Sequence, residues 1–158
     1  MTRPVRFTVC LSALLVIVVV GCAPTGNPGN EEMQRAELEQ AGMRIYAALP
    51  EDSAKAALIE QGQKMYRTAG CESCHSTRQD RLGLQGPPLG GVSKRVMARQ
   101  DDDALEARRW LVKHIKSPRL YPSPYKDDEA YHGTFMTPYN QFRDEDMRAL
   151  VEFLWSLR

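Results

Sequence analysis

Cys71-Glu72-Ser73-Cys74-His75 lies near the middle of a 158-residue chain. Two thiols three positions apart, followed at once by an imidazole, place three strong ligands or nucleophiles in one short segment. Such a group forms a small disulfide, a dithiol redox pair, part of a metal site, or the anchor of a larger group. Its surroundings choose among these, and the choice fixes the fold. A thioredoxin-like pair needs a neighbouring βαβ pattern and has no use for the histidine. A structural zinc site needs about four ligands, and the other two histidines, His114 and His132, lack the paired spacing of such sites.

The beginning of the chain gives the compartment. Residues 1–7, MTRPVRF, carry Arg3 and Arg6, and an apolar run then extends to Gly21-Cys22. A basic start, a short apolar core and a small residue before the processing point make a secretory signal. A permanent span needs about 20 apolar residues, and this run gives way sooner to Ala23-Pro24-Thr25-Gly26-Asn27-Pro28-Gly29-Asn30. Val19-Val20-Gly21-Cys22 resembles the lipobox of bacterial lipoproteins, with Val19 where leucine is usual. That resemblance implies acylation of Cys22 and stable membrane anchoring, because each buried methylene of an acyl chain adds about 0.8 kcal/mol. The expected organisation is a signal peptide over 1–21, a lipidated tether with a short helix over 22–52, and a folded domain over 53–158.

Of the four cysteines, Cys10 leaves with the signal and Cys22 is taken by lipid, so Cys71 and Cys74 remain. In an exported protein, C-x-x-C followed directly by histidine is the attachment signature of a c-type haem. The two thiols add to the two vinyl groups of one porphyrin, and His75 supplies the proximal nitrogen. One such signature means one covalent haem c.

The opposite face of the iron has several candidate ligands: Met33, Met43, Met65, Met97, Met136, Met147, His114 and His132. Met65 and Met147 fall on apolar helix faces and read as core fillers. Met33 and Met43 precede the haem in the tether, and Met97 follows a Gly-Pro loop in a basic stretch. Met136 lies in Gly133-Thr134-Phe135-Met136-Thr137-Pro138-Tyr139, just before the last helix. There an irregular chain can present sulfur to iron, so Met136 is the favoured ligand, with His132, His114, Met97 or an open position as alternatives.

The rest of the domain reads as all-helical, without strand alternation or repeats. Glu31 to Leu49 is rich in helix formers, with Leu38, Ala41, Ile45 and Leu49 on one side. Asp52 or Ser53 caps a second helix running to about Ala69, and Gly62 inside it costs about 1 kcal/mol relative to alanine. That cost is repaid if another backbone comes close. Residues 83–91 are too rich in Gly and Pro for regular structure. A helix follows from Asp101–Asp103 to about Lys116, with Trp110 and His114 at i,i+4, and Pro118 ends it. Asp144 starts a last helix with the stripe Met147, Leu150, Val151, Leu154 and Leu157.

From about Ser53 to Arg158 the chain resembles a class I cytochrome c. The carriers of the resemblance come in the family's order: a helix with Gly62 and Tyr66, then Cys71 to His75, Gly86-Pro87-Pro88-Leu89, a helix, Met136 and an apolar terminal helix. The resemblance implies a helical domain wrapped around one covalent haem, with first and last helices crossing at Gly62. It gives Pro87 the carbonyl that accepts from the proximal histidine and sets Leu89 against the porphyrin. Phe135, Tyr139, Trp110 and Leu111 are candidates to wall the pocket. Two departures stand out: Thr137 separates Met136 from the proline that usually follows it, and the stretch from Pro118 to Met136 is long.

The functional expectation is a membrane-anchored one-electron carrier of a respiratory chain, not an enzyme, with redox proteins as donors and acceptors. Its haem domain faces the periplasm or the cell exterior. The alternative is the electron-entry subunit of a membrane oxidoreductase such as a terminal oxidase or nitric oxide reductase, because Trp110 to Pro118 resembles a segment of such subunits. A gas sensor would need an open distal position. The precursor has 21 Lys and Arg and 20 Asp and Glu; loss of Arg3 and Arg6 with the signal leaves one more acid than base, which gives no reason to expect nucleic acid.

Overall fold

A computed structural model describes residues 28–80, 82–125, 131 and 135–158. The signal segment, Cys22 and His132 lie outside these residues. The described chain forms α1 (Pro28–Ile45), α2 (Asp52–Thr68), a 3₁₀ turn (Cys71–Ser73), α3 (Val92–Met97), α4 (Ala104–Lys116) and α5 (Asp144–Ser156), with no strands among them. No helix among the described residues is long and apolar enough to cross a membrane.

The most extensive helix contact joins α2 to α5. It is possible because residue 62 is glycine: a Cβ there would lie 2.0 Å from the Ala149 carbonyl oxygen and 2.6 Å from Phe153 Cβ. The helices therefore meet backbone to backbone, which is the reason the sequence accepts a glycine in a helix interior. Tyr66, one turn further along α2, is buried and its ring lies 5.3 Å from that of Phe153.

The core is completed by Ala107, Leu111, Val112 and Ile115 of α4 and by Met147, Leu150, Val151 and Leu154 of α5. Each large side chain fully buried this way contributes about 1.5–3 kcal/mol. Met147 is wholly buried, in keeping with its reading as core. Asp103 caps α4, accepting from the backbone N–H groups of Leu105 and Glu106 at 2.7 and 3.0 Å.

Three elements depart from expectation. Helix α1 ends at Ile45, and Leu49 is exposed. Helix α1 packs on α4 and α5, with Ala41, Ile45 and Tyr46 buried, as a short helix within the 22–52 span. Neither Asp52 nor Ser53 caps α2; the N-cap is Glu51, without a side-chain bond, and Asp52 is already helical and pairs with Lys55 at 2.6 Å. A short helix, α3, follows the Gly-Pro loop.

The end of α1 is fastened by a buried polar network. Tyr46 is fully buried and donates to Glu152 Oε1 at 2.8 Å, while Arg108 Nε donates to the same oxygen at 2.7 Å. The Arg108 guanidinium also lies 3.7 Å from the centre of the Trp155 ring. Burial, followed by the negative charge of Glu152, pushes the Tyr46 hydroxyl far up, so it stays a donor.

Candidate cofactor site

Helix α2 delivers the chain to the site, and Gly70, at φ +74°, turns it out of the helix into the 3₁₀ turn. That conformation suits a residue without Cβ. Within the turn His75 N–H donates to the Cys71 carbonyl at 3.0 Å, which brings the imidazole back beside the two sulfurs. Cys71 and Cys74 are not joined in a disulfide, are partly buried, and both line a cavity of about 620 Å³. Burial pushes the Cys71 thiol up. Tyr66 donates its hydroxyl to the His75 carbonyl and so ties the turn to α2; its own ionisation is pushed up to about 12, by burial first and then by Cys71 and Glu72.

The Gly-Pro loop lies alongside this turn. Gly86 N–H donates to Cys74 O at 2.7 Å, Leu89 N–H to Ser76 O at 2.8 Å and Gly90 N–H to Arg78 O at 2.8 Å. Running parallel in contact, the loop puts the Pro87 carbonyl 2.8 Å from Nδ1 of His75. The Nδ1–H donates there, which fixes the ring, selects the tautomer with a bare Nε2 and raises its basicity toward a metal. Burial lowers the His75 ionisation, with the Pro87 carbonyl working the other way. The neutral imidazole is thus the favoured form. Gly86 is as necessary as Pro87, because a Cβ at position 86 would fall 2.5 Å from His75 Cε1.

Met136 enters the same cavity from the segment before α5. Tyr139 pins that segment: its N–H donates to Ile115 O and its hydroxyl to Ala69 O, both at 3.0 Å. Phe135 and Tyr139 line the cavity as expected, and Arg119 lies 4.8 Å from the centre of the Phe135 ring. The structure also brings in His114 of α4, which sequence reasoning ranked low, and Arg119, which it passed over.

Other expected residues lie elsewhere. Leu89 packs against the core and is not among the lining residues of the cavity. Leu111 is a core residue, and Trp110 stacks on His114, with ring centres 5.0 Å apart and planes 7° apart. Met65 and Met97 pack on the core, while Met33 and Met43 are exposed on α1. Among the described candidates for the distal position, Met136 and His114 alone reach the cavity.

A chain of helices that holds two unbridged cysteines, an oriented imidazole and a thioether around one cavity is a cradle for a covalently attached, iron-bearing macrocycle. Haem c fits it: the cavity falls within the usual range of cofactor pockets, about 300–1,000 Å³, and the thiols and Nε2 of His75 are the donors it requires. The cytochrome c family model matches residues 59–158. The chain therefore belongs to the cytochrome c family, and its cofactor is covalently bound haem c. No curated relative and no solved structure matches it.

Proposed function

We propose that this c-type cytochrome, an electron-transfer haem protein with redox partners, is a class I, mono-haem, lipid-anchored carrier of single electrons in a respiratory chain, with Met136 as distal ligand and Cys22 as the acylated residue. The observation that carries the ligand assignment is that Met136 and His75 line one cavity, with His75 oriented by the Pro87 carbonyl and the Met136 segment tied down at Tyr139, three residues later. The single C-x-x-C-H signature supports one haem. The apolar run ending at Cys22 supports the anchor, and export to the periplasm or cell exterior follows from the same run.

The bound haem supplies a ferric–ferrous couple, and a thioether ligand favours the ferrous side relative to a second imidazole. The protein does the rest. Cys71 and Cys74 hold the group covalently, Pro87 orients His75, and Phe135 and Tyr139 line the cavity beside Met136. Arg119 is a cation on the cavity wall, suited to balance a carboxylate of the cofactor. No bond to a substrate is made or broken.

The test is isolation of the native protein from membranes in gentle detergent, with mass analysis of its N-terminus, haem content and absorption spectra. A lipidated Cys22, one haem per chain and a six-coordinate low-spin spectrum with methionine ligation are expected. An oxidase or reductase travelling with it in fixed ratio would make it the electron-entry subunit instead, and a high-spin spectrum would remove Met136 as ligand.

A further inference from the structure

We propose that His114 is a standby ligand for the haem iron: when the Met136 thioether leaves, Nε2 of His114 takes its place. The inference rests on the reading of Met136 as the distal ligand in the resting protein.

The two imidazoles of the cavity are prepared in the same way. His75 holds its Nδ1 at 2.8 Å from the Pro87 carbonyl, and His114 holds its Nδ1 at 2.6 Å from the Tyr121 carbonyl. A carbonyl only accepts, so Nδ1 carries the proton in each ring and Nε2 carries a lone pair. Histidines that bind metals almost always donate their second nitrogen to such an acceptor.

Nε2 of His114 has no hydrogen-bond partner among the described residues, and the residue lines the cavity. Packing alone would be served by an apolar side chain there, whereas an imidazole brings one nitrogen that no described residue satisfies.

Position matters as well. His114 lies in the last turns of α4, its ring stacked on Trp110, so its direction is set by a helix. Met136 lies in an irregular segment, whose backbone N–H bond to the rest of the protein is made, among the described residues, by Tyr139 three residues later. The methionine side is the one that yields. In the exchange an iron–sulfur bond breaks and an iron–nitrogen bond forms; no proton or electron moves, because Nε2 has no proton to lose.

The experiment compares native holoprotein with Met136→Ala, His114→Leu and the double variant, by absorption and electron paramagnetic resonance spectra, reduction potential and carbon monoxide binding to the ferrous form. Met136→Ala is expected to lose the methionine–iron charge-transfer band, stay six-coordinate and low-spin, shift to lower potential, and resist carbon monoxide. His114→Leu is expected to keep the native spectrum, which also shows that the fold survives. The double variant is expected to turn high-spin and bind carbon monoxide readily. A high-spin Met136→Ala protein would overturn the inference while leaving Met136 as ligand. Low-spin iron in the double variant would overturn it by giving the role to another side chain. A Met136→Ala protein indistinguishable from native would show that Met136 was never the ligand, and the inference would fall with that reading.

Discussion

Gly86 faces the His75 imidazole so closely that a methyl group at position 86 would stand 2.5 Å from Cε1 and 2.6 Å from Nδ1. The same group would meet the Cys74 carbonyl at 2.8 Å, the acceptor of the Gly86 N–H. Gly86→Ala must therefore move either the ring or the loop that carries the Pro87 carbonyl. Forcing extra volume into such a contact costs about 1–3 kcal/mol, and the strain falls on the proximal ligand. Denaturant titration of the holoprotein should show that loss, together with a change in the reduction potential. An unchanged midpoint and potential would mean that the ring adapts freely.

Gly62→Ala sets two effects against each other. Alanine gains about 1 kcal/mol over glycine in a helix interior. The new Cβ, however, would sit 2.0 Å from the carbonyl oxygen of Ala149, a backbone atom in α5 that cannot rotate away. Overpacking typically costs about 1–3 kcal/mol, and a backbone clash places this site at the upper end. The net expectation is destabilisation by roughly 2 kcal/mol, measured by thermal or denaturant unfolding. A variant more stable than the parent would show that α2 and α5 separate at little cost.

Much of this arrangement was legible in the chain. The glycine inside α2 announced a close backbone approach, since nothing else offsets its cost, and the apolar spacing of α4 and α5 gave both helices and their buried faces. The attachment segment followed from its own spacing, whereas Pro87 was placed by the resemblance. Long-range partners were harder to see. His114 looked like one half of a Trp110 pair, because the carbonyl of Tyr121 reaches it only after the chain has turned at Pro118. Arg108 and Glu152 gave no signal of burial, since a pair of opposite charges hides the burial of both. Helix α3 has six residues and starts from Gly91 without a side-chain cap, so its local signals were too few to separate it from the loop. Leu89 was placed by resemblance alone, and the structure sets it against the core.

The junction of α1 with α5 carries a pH dependence. Arg44, in the last turn of α1, donates from Nε to Asp144 Oδ2 and from Nη2 to Oδ1, the latter at 3.2 Å. The Arg44 bond holds the Asp144 carboxyl below its ordinary value, against the smaller opposing effect of partial burial. A depressed carboxylate contributes stability that is complete above the unfolded value, about 3.9, and is lost as pH falls through the lower folded value. The stability difference between the protein and Asp144→Asn should be constant from about pH 7 to pH 5 and shrink below about pH 4. The pair is largely solvent-exposed, so added salt should reduce the same difference at neutral pH. A difference that widens in acid would contradict the assignment.

The buried Arg108–Glu152 pair predicts a different pattern, because water does not screen it. Both side chains are almost fully buried, Nε lies 2.7 Å from Oε1, and Tyr46 donates to the same carboxylate at 2.8 Å. Glu152→Gln keeps the shape but leaves the guanidinium without its counter-charge. Breaking one partner of a buried pair costs about 3–5 kcal/mol. Part of that is recovered, since Arg108 Nη1 still donates to Ala104 O at 3.0 Å and the guanidinium still lies over Trp155. Replacing both residues, as in Arg108→Met with Glu152→Met, removes the unpaired charge and should restore most of the loss, because apolar replacements of buried ion pairs are often neutral or stabilising. Tyr46→Phe should cost less, about 1.5–3 kcal/mol, as the hydroxyl bond to the carboxylate is lost and no charge is stranded. Denaturant unfolding of the four proteins measures all three effects. Equal losses in Glu152→Gln and the double variant would show that packing around the pair, rather than the stranded charge, carries the energy.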